Sequence, residues 1–384
     1  MYDYFFPISQ DLARFNMAKL QQNMRTAGVD AFVLQRGDNL RYVASLTPYD
    51  SFYLGHQQAV LLPVEGEPIV FATDRYAEVL QKSHWLKDIR SISSRPDHPA
   101  PVVVIDALNE LNLTQAKIAL DPFMNCIFAR SLEKALDKAM FVDGDAILWE
   151  ARRVKCDAEI AIIEEAVQIA EIGLRAGIDT IREGIRECEL AGAIIDAVIS
   201  AGGHGLYAVP AVVSSGERWE RCEEFPTEKR IRRGELVNID EGPLFKGYYG
   251  EFARMLLIGT PSEDQKKLYQ TTYKAHRETI EAIRPGMTSA DVAAVSKQIF
   301  QEKGYGKFAE YGIGHGLGMS SAEPPWISPN DATVLQAGMV IAVEPSVFLP
   351  GVGGCRFEDN VVVTDDGCRQ LSRTEHPEMD KFFN

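Results

Sequence analysis

Residues 235–259, ELVNIDEGPLFKGYYGEFARMLLIG, carry the pattern that decides the fold of the C-terminal half of this chain. An apolar run ends at Asp240, glycines and a proline mark a turn, and a second apolar run follows Glu251, eleven residues after Asp240. This order predicts a pair of strands whose connection can bring the two acidic side chains side by side. Because neighbouring carboxylates repel each other, the pattern also predicts a proton or a cation between Asp240 and Glu251.

Length, charge and cysteine usage limit the class of protein. The chain has 384 residues, more than one domain usually contains, so two domains are expected. Its net charge of −15 argues against nucleic acid and anionic membranes as partners, since both attract Lys and Arg. Six cysteines without a CxxC pair favour reduced thiols. With no signal-peptide pattern and no long apolar run, the sequence predicts a cytoplasmic protein.

Helix and strand patterns alternate before residue 148 and change character after it. Helical spacing over residues 11–28 ends at Gly28, and strand patterns follow at 30–35, 56–64, 67–73 and 116–121. This alternation predicts an α/β domain with a mostly parallel or mixed sheet. In the second half, Asp157 is the expected cap of a long helix and a second helix is expected to end at Gly202. Further helices are predicted within 262–283 and 289–304, among strand-rich sequence.

Three more polar residues stand in strand-like or glycine-rich sequence: His315 in GIGHGLG, Glu344 in VIAVEP and Glu358 in RFED. With Asp240 and Glu251 they provide four carboxylates and one imidazole, the ligand types of an oxygen-rich site for two cations. Two divalent ions would balance the four negative charges, whereas without metal several of these acids would need raised pKa values. Each residue alone is equally well explained as an ordinary strand end or turn.

The order of these motifs resembles that of the creatinase, prolidase and aminopeptidase P superfamily, which has the pita-bread fold. The resemblance covers the whole chain. It implies a creatinase-type α/β N-terminal domain over residues 1–148 and an α+β pita-bread catalytic domain over residues 149–384. It also implies a homodimer and one or two divalent ions (Mn, Co, Zn or Fe). The family's metal ligands fall on Asp240, Glu251, His315, Glu344 and Glu358.

The chain departs from the family pattern at three positions. Glu251 stands where the family has Asp, so the resemblance implies a second ion that is displaced, weak or absent. The first histidine of the family's peptidases falls on Cys222 or Glu223, and the second falls on Ala322. Because both histidines are replaced, a small amide or amidine is expected as a substrate beside a dipeptide.

The sequence therefore predicts a metal-dependent hydrolase that cleaves a C–N bond in a dipeptide, small amide or amidine. Glu344 is the expected general base, Arg356 is expected to orient a ligand carboxylate, and Glu223 is expected to face the substrate. An ion pair on the face of a strand is the alternative explanation for Arg356. Two other functions stay open: a metal-independent hydrolase like creatinase or ectoine hydrolase, and a non-catalytic pita-bread binding protein.

Several residues are candidates to replace the missing imidazoles or to complete the pocket. Cys222 is a possible nucleophile, although no histidine partner is evident for it. His204 is a possible substitute imidazole, and a helix-terminating turn is the alternative account of it. Tyr49 and His56 are candidates to reach the pocket of a neighbouring subunit.

Overall fold

The computed structural model of the chain describes residues 7–46, 58–92, 100–204, 211–310 and 312–374. The chain divides into two compact units, Met1–Arg152 and Arg153–Asn384. The domain boundary expected after residue 148 falls inside the helix Asp145–Arg153. Tyr49 and His56 lie outside the described residues.

The N-terminal unit is an α/β domain. Its helices are α1 Gln10–Ala27, α2 Gly37–Ala44, α3 Asp74–Ser83, α4 Ala100–Glu110, α5 Cys126–Ala135 and α6 Asp145–Arg153. Its strands are β1 Ala31–Leu34, β2 Ala59–Pro63, β3 Ile69–Thr73, β4 Ile89–Ile92, β5 Lys117–Leu120 and β6 Met140–Asp143. They form one sheet in the order β4-β3-β2-β1-β5-β6. Parallel and antiparallel pairs both occur, so the prediction of a mixed sheet is confirmed.

Local sequence signals define the first helix, but two of the strands were not predicted from the sequence. Ser9 Oγ accepts a hydrogen bond from Leu12 N, and Gly28 ends α1 with a φ of 61°, a left-handed conformation that favours glycine. The sequence reading missed β4 and β6. Strand β4 has the mixed sequence IRSI, which shows no apolar run, whereas β6 has the short apolar run MFV and is half-buried or exposed along its length.

The C-terminal unit combines helices with antiparallel strands. Its helices are α7 Asp157–Thr180, α8 Glu187–Ser200, α9 Glu217–Glu220, α10 Glu263–Ala282 and α11 Ser289–Glu302. Its first strands are β7 Val212–Ser215, β8 Leu236–Glu241, β9 Leu244–Phe245, β10 Tyr248–Tyr249, β11 Phe252–Leu257 and β12 Gly314–Gly316. The others are β13 Glu323–Trp326, β14 Val340–Val343, β15 Ser346–Leu349, β16 Gly353–Arg356, β17 Asp359–Val363 and β18 Cys368–Gln370. The two larger sheets have the orders β11-β8-β7 and β13-β12-β14-β17-β18.

The strands predicted around Asp240 and Glu251 are confirmed as β8 and β11. They pair antiparallel, with Ala253 opposite Asp240. Alternate residues of β8 point to opposite faces: Val237 and Ile239 join a core with α7 and α8, whereas Leu236 joins a core with α10 and α11. Asp240 lies on the second face, at the carboxyl end of the strand.

Helix α7 shows how closely the helices approach this hairpin. A Cβ on Gly250 would lie 2.4 Å from the backbone N of Val167, so only glycine permits this contact just before Glu251. The predicted cap of α7 was wrong by one residue, because Cys156 is the N-cap and Asp157 begins the helix. An acidic side chain in the first turn is also favourable, since it faces the positive end of the helix dipole.

All six cysteines are free thiols, as their spacing predicted. No helix in the described part of the chain has both the length and the apolar sequence needed to cross a membrane.

Candidate active site

The five predicted ligands converge at one place in the C-terminal unit, although they come from two sheets. Asp240 is the last but one residue of β8, and Glu251 directly precedes β11. His315 lies in β12, Glu344 directly follows β14, and Glu358 directly precedes β17. These five residues form the site cluster.

Backbone and side-chain hydrogen bonds join the two sheets at this cluster. Ala253 and Glu358 exchange backbone hydrogen bonds, with N–O distances of 3.4 and 3.2 Å. The backbone N of Glu251 donates to Asn360 Oδ1 at 2.8 Å. Because Asn360 lies in β17, the second sheet fixes the position of the acid that precedes β11 in the first.

His315 lies between two carboxylates of the cluster. Its Nε2 is 3.3 Å from Glu344 Oε1 and 3.6 Å from Glu251 Oε2, and its Nδ1 is 3.1 Å from the carbonyl oxygen of Gly316. Burial lowers the pKa of His315, but Glu251 and Glu344 outweigh burial and raise that pKa to about 9. In this arrangement the imidazole carries a proton at neutral pH.

Arg356 is the second cation at the site. Its Nη1 donates to Asp240 Oδ2 at 2.9 Å, its Nε donates to Ser346 Oγ at 2.9 Å, and Glu344 Oε2 lies 3.5 Å from Nε. The guanidinium is buried, with 9% of the side chain exposed. Arg356 thus contacts two carboxylates of the cluster, which is the position that an orienting role requires; the role itself stays a prediction.

The cluster holds more acid than these two cations neutralise. Glu358 is 2% exposed, and its carboxylate has no hydrogen bond or ion pair within the described residues. Burial, together with neighbouring acids, raises its pKa well above the usual value. Burial likewise raises the pKa of Glu251 to about 8, against the attraction of His315, and that of Asp240 to about 6, against Arg356. Burial opposes ionisation of Glu344 too, but Arg356 and His315 lower its pKa to about 2.

The donor chemistry of the cluster fits a divalent cation. Carboxylate oxygens and an imidazole nitrogen are ligands of Mn, Co, Zn and Fe. The buried carboxylate of Glu358 forms no ion pair within the described residues, and the attraction of Arg356 does not offset its burial and the neighbouring acids. The present arrangement is not a preformed coordination shell. Within the described ranges, no group of three or more His, Cys, Asp or Glu side chains has a geometry that would hold a metal ion. His315 and Arg356 instead pair with Glu344 and Asp240.

The structure keeps Glu223 engaged outside the site cluster. Its Oε2 accepts from Arg218 Nη1 and its Oε1 from Arg221 Nε, both at 2.7 Å. The hydrogen bond from Arg221 lowers the pKa of Glu223, so the side chain is a paired carboxylate at neutral pH. A role for Glu223 toward the substrate stays a prediction.

The other candidate replacements for the missing histidines differ in position. Cys222 is half-buried, and burial raises the pKa of its thiol to about 11, so a thiolate nucleophile is disfavoured at neutral pH. Ala322 is exposed and carries no functional group. His204 pairs through its backbone with Leu244, its N lying 2.6 Å from the carbonyl oxygen, which agrees with a structural turn after α8.

Two acids that the sequence reading missed lie beside Arg356. Glu310 Oε2 is 3.3 Å from Arg356 Nη2, and Glu224 Oε1 is 3.7 Å from Nη1. Both side chains are partly exposed, at 35% and 44%. Glu310 stands five residues before His315 and Glu224 directly follows Glu223, so proximity to known motifs was the only available signal.

Comparison with known proteins identifies the family to which the chain belongs. Residues 161–365 match the model of metallopeptidase family M24, and residues 17–154 match that of the creatinase/prolidase N-terminal domain. The chain is 37% identical over 362 residues to an Xaa-Pro dipeptidase of Pyrococcus furiosus, covering 94% of this chain and 98% of the relative. It is 28% identical over 370 residues to an Xaa-Pro dipeptidase of Pyrococcus horikoshii, covering 95% and 99%.

Comparison with solved structures also finds similarity to a prolidase. The crystal structure of the prolidase from Pyrococcus horikoshii OT3 superimposes with a TM-score of 0.83 at 27% identity, covering 94% of this chain and 99% of that one. These matches confirm the resemblance to the creatinase, prolidase and aminopeptidase P superfamily and the predicted fold, an α/β N-terminal domain followed by an α+β pita-bread domain. They also confirm the prediction of a hydrolase.

Proposed function

We propose that this chain, which belongs to metallopeptidase family M24, is a metal-dependent hydrolase that cleaves the C–N bond of dipeptides or small amides. The observation that carries the proposal is the buried cluster of four carboxylates and His315, in which Glu358 forms no hydrogen bond or ion pair through its side chain within the described residues. Burying so much uncompensated acid is unfavourable unless a cation or a proton joins it. The similarity to Xaa-Pro dipeptidases supports dipeptides as the first substrates to examine.

The residues that would hold the ion or ions are Asp240, Glu251, His315, Glu344 and Glu358. A bound divalent ion supplies Lewis acidity, which polarises a carbonyl and lowers the pKa of water. Arg356 holds Asp240 and Glu344 in place through its ion pairs and keeps both oriented toward the centre of the cluster. Glu344 is ionised at neutral pH and is the proposed acceptor of the proton released from the attacking water.

The replaced histidines shape the expected specificity. Ala322 is exposed and Glu223 is paired with two arginines, so neither position offers an imidazole to the scissile amide. We therefore expect weak discrimination between Xaa-Pro dipeptides, other dipeptides and small amides. The homodimer and the cytoplasmic location expected from the sequence stay predictions.

One observation favours a second function, a metal-independent hydrolase of the creatinase type. The pKa of His315 is raised to about 9 by Glu251 and Glu344 despite burial, and that of Glu251 is raised to about 8, chiefly by burial. Such a pair can hold and exchange a proton without a metal ion.

Metal content per chain tests the proposal. The protein is purified without chelator, supplied with Mn, Co, Zn or Fe, and measured by plasma mass spectrometry beside His315→Ala and the control Glu302→Ala, an exposed acid on α11. We expect about one or two ions per chain in wild type and control, and loss of metal and of Leu-Pro and Leu-Ala hydrolysis in His315→Ala. Metal-free wild type that hydrolyses a small amide in chelator would instead establish the second function.

A further inference from the structure

A cavity of about 440 Å³ is lined by Arg218, Cys222, Glu223, Glu224, Phe225 and Thr227. The chain from residue 222 to residue 227 is called the cavity segment. Glu224 links the cavity to the site cluster, since its Oε1 lies 3.7 Å from Nη1 of Arg356, the guanidinium that pairs with Asp240. A substrate that reaches the cluster from this side would contact the cavity segment.

A buried carboxylate anchors the chain around the cavity segment. Glu187, in the first turn of α8, is fully buried. Its Oε1 accepts from the backbone N and the Oγ of Ser215 at 2.9 and 2.8 Å. Its Oε2 accepts from the backbone N and the Oγ1 of Thr227 at 3.1 and 2.8 Å. Glu187 therefore holds both ends of the chain between residues 215 and 227 at one point.

Arg218 extends this anchor into the middle of the segment. Its Nε donates to Glu187 Oε2 at 3.1 Å, and its Nη1 donates to Glu223 Oε2 at 2.7 Å. Its Nη2 donates to the carbonyl oxygens of Glu223 and Phe225, at 3.4 and 2.6 Å. The planar guanidinium, with several donors in fixed directions, suits this bridging role, whereas a lysine provides one flexible point charge.

We infer that Arg218 is a positioning residue for substrate binding: it holds the cavity segment in the shape that receives the substrate. The inference rests on the proposed function. The side chain of Phe225 is 67% exposed, so its apolar surface does not fix the backbone there, and the hydrogen bond to its carbonyl oxygen does. The fixed segment presents an apolar ring and the carboxylate of Glu224, which suit a small substrate with an apolar side chain and a free amino group.

The inference predicts a specific kinetic signature. Without Arg218 the segment must be ordered when the substrate binds, and ordering side chains on binding weakens affinity. The residues of the site cluster do not contact Arg218 in the described structure, so the chemical step is left intact. In Arg218→Ala we expect KM for Leu-Pro to rise about tenfold while kcat stays within about threefold.

Arg221→Ala is the matched control. Arg221 also donates to Glu223, but its side chain is 57% exposed and it makes this contact from the solvent side. We expect KM in Arg221→Ala to stay within about twofold of wild type. Arg218→Lys keeps a positive charge near Glu187 and protects the fold, and it should still show the raised KM, because it cannot bridge to both carbonyl oxygens.

The experiment measures kcat and KM for Leu-Pro with the full chain in Mn²⁺, with thermal unfolding of each variant as the check on folding. Adding about 10 mM guanidinium to Arg218→Ala should lower KM again, whereas the same concentration of urea should not, since only guanidinium restores the missing donors. Unchanged KM in Arg218→Ala, or a loss of kcat alone, would overturn the inference.

Proteolysis separates failure of this inference from failure of the proposed function. A glutamate-specific protease should cleave at Glu223 or Glu224 about tenfold faster in Arg218→Ala than in Arg221→Ala, because the segment opens locally. Equal cleavage rates would show that Arg218 does not position the segment. A metal-loaded wild-type chain that hydrolyses neither dipeptides nor small amides would overturn the proposed function and the substrate-binding part of the inference together.

Discussion

Glu187 and Glu358 are both buried glutamates of the C-terminal unit, but their surroundings are opposite. The carboxylate of Glu187 accepts five hydrogen bonds, from Ser215, Thr227 and Arg218. The carboxylate of Glu358 accepts none within the described residues, and its neighbours include three other acids. Equal burial therefore says little about what a buried acid does.

The difference lies in whether the protein itself supplies the partners. A buried charge that is fully hydrogen-bonded holds structure together, and removing it leaves several donors without acceptors. A buried acid without partners is unfavourable for the isolated chain and is explained by a group that arrives later, such as a cation or a reacting proton. The contrast supports a structural role for Glu187 and the proposal that Glu358 belongs to the site.

The largest expected effect is the loss of metal and of hydrolytic activity in Glu358→Gln. The amide has nearly the shape of the carboxyl group but no negative charge, so it is a poorer ligand for a cation. We expect metal content to fall and hydrolysis of Leu-Pro to decrease at least about a thousandfold, since metal ions contribute several kcal/mol to such reactions.

The same variant should not destabilise the metal-free protein. Burial and neighbouring acids already raise the pKa of Glu358, so a neutral side chain is at least as favourable there. Urea unfolding after chelator treatment measures this. If Glu358→Gln is strongly destabilised while its metal content is unaffected, Glu358 is a structural residue like Glu187 and the contrast between the two acids is wrong.

The second effect is that of Glu187→Ala, which should act on stability. Its removal leaves the buried donors of Ser215 and the donors of Thr227 unsatisfied, so we expect a loss of at least about 3 kcal/mol in the free energy of unfolding. Urea unfolding followed by circular dichroism gives the value. Glu187→Gln keeps the side-chain volume and one acceptor oxygen and should lose less; equal losses in both variants would argue against the hydrogen-bond account.

The smallest effect on stability is expected at Glu189, an exposed residue two positions after Glu187 in α8. Its carboxylate accepts from the backbone N and Nη2 of Arg186, at 2.9 and 3.0 Å. The hydrogen bond from the Arg186 side chain lowers the pKa of Glu189 from 4.5 to about 2. Because the folded-state pKa is depressed, its stabilising contribution is complete above pH 4.5 and is lost as the pH falls toward 2.

Glu189→Gln should therefore be slightly less stable than wild type at pH 7 and pH 5, and the difference should shrink at pH 3. Urea unfolding of both proteins at the three pH values measures it. A difference that grows on acidification would show that the carboxylate is not held by Arg186. At pH 7, substitution of Glu187 should lower the free energy of unfolding more than substitution of Glu189 does.

Much of the fold follows from local sequence patterns. The apolar runs around Asp240 and Glu251 predict β8 and β11, and Ser9 and Gly28 define α1. These features depend on residues a few positions apart, through side-chain alternation, capping and left-handed glycine conformations. Where such signals are weak, as in β4, the strand went unpredicted because it depends on pairing in the sheet.

The order of the motifs pointed to the five residues that the fold brings together, but the sequence did not show which of them form ion pairs. Asp240 and Arg356 are 116 residues apart, and Glu187 and Arg218 are 31 apart. No local pattern shows which acid each arginine binds. A role for Glu223 toward the substrate stays a prediction, and only the fold shows that Glu223 pairs with two arginines and that Glu224 lies beside Arg356.

The sequence by itself thus determined which residues have chemistry to offer and which strands and helices carry them. The tertiary structure decided which of those residues are neutralised by partners and which are left unpaired. The physical reason is that strand and helix patterns depend on neighbours along the chain. Desolvation and ion pairing depend instead on what the fold brings together from distant positions.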